Sequence, residues 1–166
     1  MSEGLTIAVE RAERDDVRAL LHAAWSWSAD LYPPESRHGL DLAAYARPEV
    51  TLLVARERGV ALGCGAWQLQ GDGSAELKSM FVVPEARGHG VGRAILAAIE
   101  DELRGRVGML RLEAGIRQPA AIRLYESAGF GRRGPFGSYP DDPLSVFMEK
   151  PLQHPVRHEP PPAPAG

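Results

Sequence analysis

The sequence predicts an α+β fold built on a mixed, mostly antiparallel sheet. Three observations predict it. Val50 to Leu69 holds two apolar strands with only Arg58-Gly59 between them, the spacing of an antiparallel hairpin. The short turn Gln70-Gly71-Asp72-Gly73 then leads into Ala75 to Val83, a third strand antiparallel to the second. Finally, Glu76 to Leu103 (ELKSMFVVPEARGHGVGRAILAAIEDEL) changes from strand to helix across a glycine-rich turn, which brings helices into the same domain.

The elements follow in order. Leu5 to Val9 alternates and reads as a first strand. Asp15 or Asp16 can cap a helix running to about Leu31, with Val17, Leu20, Leu21, Ala24 and Trp25 on its buried side. Trp25 and Trp27 suit either a pocket wall or core packing. Pro33 and Pro34 stop the helix. A short helix is expected from about Leu40 to Ala46, with Glu35 or Ser36 as candidate caps. Gly63 and Gly65, inside the second hairpin strand, predict a bulge or a close neighbour. Leu77 to Val83 is rich in apolar residues and ends at Pro84. On a regular strand Glu76, Lys78, Met80 and Val82 would share one face. Val91, Ile95, Ile99 and Leu103 recur every four residues with Leu96 beside them, one apolar helical face. Met109 to Ala114 is another strand, ending at Gly115. Pro119 stands in the first turn of the next helix, where its missing N–H costs nothing, and Gly129 is placed to terminate that helix after Ser127. Val146 to Glu149 is the last strand.

Length and composition bound the rest. The chain has 166 residues, enough for one domain with a sizeable core. We place that domain at 1–150. From Pro151 the composition turns proline-rich, and 151–166 is expected to be a disordered or polyproline-like tail. A formal net charge of −3 gives no basic excess of the kind nucleic-acid binding needs. Cys64 is the single cysteine, which excludes an internal disulfide and a thiol metal cluster. His22, His38, His89, His154 and His158 show no paired ligand spacing, so no metal site is expected. The N-terminus lacks a signal-peptide pattern and no apolar run reaches membrane-spanning length, so the expected setting is cytoplasmic, with no membrane partner.

The glycine turn carries the chemistry. In Arg87-Gly88-His89-Gly90-Val91-Gly92 the alternate glycines let the backbone approach a ligand and turn N–H groups towards it. The following helix adds unpaired N–H groups and the positive end of its dipole, and Arg87 and Arg93 flank the turn. This suits a phosphate or pyrophosphate. It is neither a dinucleotide fingerprint, since the third glycine is displaced, nor a P-loop, since Gly-Lys-Ser/Thr is missing.

The same residues fit R/Q-x-x-G-x-G/A and so resemble the acetyl-CoA pyrophosphate loop of the GNAT superfamily of N-acetyltransferases. Ala121-Ile122-Arg123-Leu124-Tyr125-Glu126-Ser127-Ala128-Gly129-Phe130 is similar to that superfamily's second signature, A-x-x-L-Y-x-x-x-G-F. The segment Pro33-Pro34-Glu35-Ser36-Arg37-His38 resembles a P-P-E-S-x-H segment of one bacterial branch. The resemblance runs from about Leu5 to Leu152 and implies helices on both faces of the sheet, with acetyl-CoA as co-substrate.

It also implies roles. The cofactor would be held by Gly88, His89, Gly90, Val91 and Gly92 between Arg87 and Arg93, with the strand edge at Met80, Phe81 and Val82 serving the pantetheine arm. Gln118 stands where many family members carry a cofactor-contacting asparagine. The arm would lie in a gap between this strand and Leu110–Ala114, with a backbone N–H near Phe81 or Val82 as oxyanion donor. Tyr125 would be the general acid towards the leaving thiolate, being protonated at neutral pH. Glu76 would be the general base, with Glu113 on the facing strand as the second candidate and a strand-end pair with Lys78 as the plain structural alternative. Glu35, Ser36 and His38 would touch the acceptor, joined by Tyr139 and Asp141, with Asp142, from the loop Pro135 to Pro143. The same two loops also read as rigid turns. The function expected is acetyl-CoA-dependent N-acetylation of a small primary amine or amino-acid-like acceptor by direct transfer in a ternary complex. A protein N-terminal or lysine acceptor and a non-catalytic acyl-CoA-binding module are the alternatives. A homodimer would be common for the family.

Overall fold

The computed structural model describes residues 4–152 and 162–164. The rest of the expected tail, with His154 and His158, lies outside the described residues. Seven strands form one sheet in the order β1-β2-β3-β4-β5-β7-β6. They are β1 Leu5–Val9, β2 Val50–Glu57, β3 Val60–Leu69, β4 Ser74–Val82, β5 Met109–Gly115, β6 Gly131–Arg133 and β7 Ser145–Pro151. Three α-helices join them: α1 Asp15–Leu31, α2 Val91–Leu103 and α3 Pro119–Ser127. Every strand pair is antiparallel except β4 with β5. The mixed, mostly antiparallel α+β sheet is therefore as the sequence predicts.

Two apolar layers sandwich the sheet. On one face Val91, Ile95, Leu96, Ile99 and Leu103 of α2 are buried with Ile122 and Tyr125 of α3. On the other, Val17, Leu20 and Leu21 of α1 pack over Leu52, Val54 and Cys64. The four-residue recurrence in α2 is the geometric origin of the first layer. Truncating the fully buried Ile95 to alanine removes packing worth about 2–5 kcal/mol.

Local chemistry sets the joints. Arg58 (φ 50°) and Gly59 (φ 79°) both take left-handed conformations, the two-residue turn whose twist matches a hairpin. At the end of α3, the Gly129 N–H donates to Glu126 O (3.1 Å) and the Phe130 N–H to Tyr125 O (3.0 Å). With Gly129 at φ 97°, this is a Schellman termination. Gly65 is required for packing: a Cβ there would lie 2.6 Å from Met80 Sδ and 2.7 Å from Ile95 Cγ2, so its absence lets α2 sit against β3.

Several local expectations are corrected. Arg14, not an aspartate, is the N-cap of α1 and makes no side-chain cap. Asp15 and Asp16 lie in the first turn, where they favour the helix dipole, and Asp16 is taken by Arg56 at 2.6 Å. The helix expected from about Leu40 to Ala46 is a 3-10 turn, Leu42–Ala46, and its cap is Asp41, which accepts from the Ala44 N–H at 2.9 Å. The three-residue strand β6 lacks the length to show a period and is not evident from sequence.

Two features of β4 shape the site. Its pairing with β5 covers only Ser74↔Met109, Ala75↔Leu110 and Glu76↔Arg111, after which the two strands part. Its pairing with β3 skips Gly65, leaving Ser79 and Met80 opposite one residue, with Ser79 at φ 58°. This bulge resets the alternation. Glu76 and Lys78 face the α1 side, whereas Met80 and Val82 pack into the α2 layer and Phe81 into the α1 layer. The expectation that Glu76, Lys78, Met80 and Val82 share a face fails for this reason: one extra residue exchanges the faces of everything beyond it.

Candidate active site

Where β4 and β5 part, a cavity of about 570 Å³ opens beneath α1 and the loop that follows it. Its wall includes Glu76, Lys78 and Phe81 of β4, Glu113 of β5, and Gln118 and Tyr125 at α3. Ser36, His38 and Tyr139 close it from the two loops, and Trp25 and Trp27 line its apolar side.

The glycine turn stands at the far end of β4, outside the cavity wall. Gly88 (φ 80°) and Gly90 (φ 82°) hold left-handed conformations with no heavy atom within 4 Å of a notional Cβ. They are there for backbone conformation, with open space around them. Among the described residues, no backbone N–H from Gly88 to Arg93 donates to another group of the chain. An array of free donors at the start of α2 has the chemistry to accept an anion. The two arginines are less free. Arg87 donates from Nε to Val82 O (2.9 Å), and its guanidinium lies 4.5 Å from the Trp27 ring centre. Arg93 donates to Ser127 Oγ at 2.9 Å. His89 is exposed.

Glu76 is 5% exposed. Its Oε1 lies 3.0 Å from Lys78 Nζ and accepts from the Tyr139 hydroxyl. Lys78 also donates to Tyr139 Oη (2.6 Å) and to the backbone oxygen of His38 (3.2 Å). Burial first, and the Glu76 charge second, push the Tyr139 hydroxyl far above the ordinary phenol value. The three side chains therefore lock β4 to both loops, and the Tyr139 ring meets His38 edge-on at 5.1 Å. Glu113 is differently placed. Burial pushes its carboxyl above the ordinary value, and among the described residues it has no ion-pair partner.

Tyr125 is buried under Phe130, and burial raises its hydroxyl well above the ordinary phenol value, with Glu113 adding to the shift. The hydroxyl has no hydrogen-bond partner among the described residues. Gln118 is N-terminal to α3, and its Oε1 accepts from the Tyr32 hydroxyl at 3.4 Å.

The loop residues divide. Ser36 is buried and donates to Asp142 Oδ2 at 2.5 Å, a bond between the two loops that holds the Asp142 carboxyl below its ordinary range. Glu35 and Asp141 are exposed and do not line the cavity, a correction to their expected place beside the acceptor. Glu35 is next to Ser36, which does turn inward, and Asp141 lies between Pro140 and Asp142, which do not line the cavity. Cys64 is fully buried, its thiol pushed up to about 12 by desolvation while it donates to Ser79 O (3.2 Å), so it is a core residue. Among the described residues no group of His, Cys, Asp or Glu is arranged to hold a metal. No described helix is long and apolar enough to cross a membrane.

Two wall residues escape sequence reasoning. Tyr32 sits against Gly115 and accepts from the Arg117 N–H at 3.0 Å. Tyr45 bonds Ser79 Oγ at 2.6 Å, and burial pushes its hydroxyl up to about 12. Only the neighbouring prolines mark Tyr32, and nothing in LAAYA marks Tyr45.

The comparisons agree with this geometry. Residues 14–130 match the family model described as the acetyltransferase (GNAT) family. The chain is 48% identical over 150 residues to an IAA acetyltransferase of Azospirillum brasilense, covering 89% of this chain and 98% of that one. It is 34% identical over 121 residues to an L-methionine sulfoximine/L-methionine sulfone acetyltransferase of Salmonella typhimurium, covering 68% of each. A solved structure from Klebsiella pneumoniae, assigned as an acyl-CoA N-acyltransferase, superposes with a TM-score of 0.79 at 39% identity, over 89% of this chain and 97% of that one. With a free-donor loop before α2, parted central strands and relatives of this kind, the chain belongs to the GNAT family of N-acetyltransferases and is an acyltransferase.

Proposed function

We propose that this enzyme moves the acetyl group of acetyl-CoA directly to a small primary amine or amino-acid-like acceptor within a ternary complex. One observation carries the reading: the free N–H groups at Gly88–Arg93 and the cavity holding Tyr125, Glu76 and Glu113 lie along one strand, β4, whose far edge is unpaired beyond Glu76. The pyrophosphate belongs at the loop, with Gly88 to Gly92 as backbone donors. The pantetheine arm belongs along the open edge of β4 at Met80–Val82, with Gln118 opposite. A backbone N–H near Phe81 or Val82 then serves the oxyanion. Tyr125, held protonated by its burial, donates to the departing thiolate.

The wall chemistry supports a small acceptor. Carboxylates favour a cationic amine, and two loops, tied to each other by Ser36–Asp142 and to β4 by Lys78, partly close the cavity. The Salmonella relative acts on amino-acid derivatives, in keeping with an amino-acid-like acceptor. A protein N-terminus or lysine would need an open groove.

Thermal unfolding with and without acetyl-CoA, in wild type and in Gly90→Glu, tests the first half. Ligand at about a hundred times its Kd adds roughly 2.7 kcal/mol to the folded state. The midpoint of the wild type should rise by several degrees and that of the variant should not. CoA release across an amine panel tests the second half. A folded wild type with no thermal response defeats the proposal.

A further inference from the structure

We propose that Glu113 takes the proton from the acceptor's ammonium, and that Glu76 is a positioning residue that holds Lys78 and Tyr139 in place. The assignment rests on the transfer reading above and departs from the strand-start glutamate that the sequence favours.

Geometry separates the two carboxylates. Glu76 is opposite Arg111 in the last β4–β5 pair, at the closed end of the gap. Glu113 is two residues further along β5, where the strands have parted, and lines the cavity with Tyr125. The Oε1 of Glu76 already receives the Lys78 ammonium and the Tyr139 hydroxyl. Accepting a proton there would weaken its pair with the Lys78 ammonium and compete with the bond it receives from Tyr139. Glu113 has no such commitment: among the described residues it has no ion pair. The groups that act on it are Glu76 and Lys78 from β4, His38 from the first loop and Ser145 from β7. It acts in turn on Tyr125, Tyr139 and Tyr32. Burial raises its carboxyl above the ordinary value, against the opposing pull of Ser145, His38 and Lys78.

The protons balance. The bound ammonium gives one proton to the Glu113 carboxylate. The freed nitrogen lone pair attacks the thioester carbon and forms the C–N bond. The C–S bond breaks, and the thiolate takes the Tyr125 proton. The resulting phenolate takes the second nitrogen proton, which leaves a neutral amide and restores Tyr125. Glu113 then releases its proton to water, so one proton is produced per turnover.

Glu113→Gln and Glu76→Gln, compared with wild type on one confirmed amine, test the assignment. Glu113→Gln should lose roughly 10²–10⁴-fold in kcat, with an unchanged thermal response to acetyl-CoA. Its residual rate should climb with pH as free amine becomes available from solution, and Glu113→Asp should recover part of the loss. Glu76→Gln should lose less in kcat than Glu113→Gln. A second readout needs no activity. A carboxyl raised by folding stabilises the fold fully below its unfolded pKa and less as pH rises through the folded value. Glu113→Gln should therefore melt above wild type at neutral pH, with the gap closing in acid. A Glu113→Gln enzyme within a few fold of wild type, a larger loss from Glu76→Gln, or no pH-dependent melting gap overturns the assignment alone. A wild type that binds acetyl-CoA yet acetylates no amine overturns the transfer reading and this assignment together.

Discussion

The Tyr32 hydroxyl occupies the space that a side chain on Gly115 would fill: a Cβ built there lies 1.9 Å from Tyr32 Oη and 2.1 Å from Cζ. The end of α1 is thereby seated on the end of β5, where the cavity wall turns into α3. Tyr32 can then bond both the Arg117 N–H and Gln118.

Gly115→Ala should consequently displace the Tyr32 ring, since a rigid aromatic cannot yield two ångströms by rotating. Overpacking of this kind costs about 1–3 kcal/mol. The thermal midpoint should fall, and the Gly115→Ala/Tyr32→Ala double variant should be less destabilised than the sum of the two singles. Strict additivity would mean that the two residues do not press on one another.

Lys78→Ala should be among the more damaging substitutions at the site. It leaves the Glu76 carboxylate, only 5% exposed, without its cation, and breaking a buried pair in this way costs about 3–5 kcal/mol. Replacing both members, as Lys78→Ala with Glu76→Gln, should restore much of the loss because no unpaired charge remains. Chemical denaturation of the four proteins in the cycle measures it.

Ser36→Ala should loosen the pair of loops. The expected result is a several-fold rise in KM for the amine, with acetyl-CoA binding unchanged. The pH dependence has a definite sign. Folding depresses the Asp142 carboxyl, so the stability linked to it is present above the unfolded value and is lost as pH falls through the lower folded one. The melting difference between wild type and Ser36→Ala should hold at neutral pH and shrink only in strong acid.

Tyr125→Phe should cost roughly 10²–10⁴-fold in kcat without altering the thermal response to acetyl-CoA. The loss should be smaller with an acetyl thioester of a more acidic thiol, whose thiolate needs less help to leave. Equal losses with both donors would point to a packing role under Phe130 instead.

Much of the fold is legible because it is local. The period of α2 is written in Val91, Ile95, Ile99 and Leu103, the hairpin in two residues, and the end of α3 in Gly129 and Phe130. The glycine turn is equally plain, since its donors come from consecutive residues whose conformation glycine permits. The bulge is legible only in part: Gly63 and Gly65 mark it on β3, but the positive φ at Ser79 on β4 is carried by a serine and leaves no signal there.

The sequence by itself determined the family, the order of the elements other than β6, and the glycine turn before α2, because each rests on contacts within a few residues along the chain. The tertiary structure alone decided what faces the cavity. It pairs Lys78 with the His38 backbone across 40 positions and Ser36 with Asp142 across 106. It turns Glu35 and Asp141 to solvent and brings Tyr32 and Tyr45 into the wall. It also separates two carboxylates that look alike in sequence, tying Glu76 to a cation and leaving the half-buried Glu113 without one. A carboxylate's chemistry depends on the charges and solvent around it, and those are supplied by chain segments that only folding brings together.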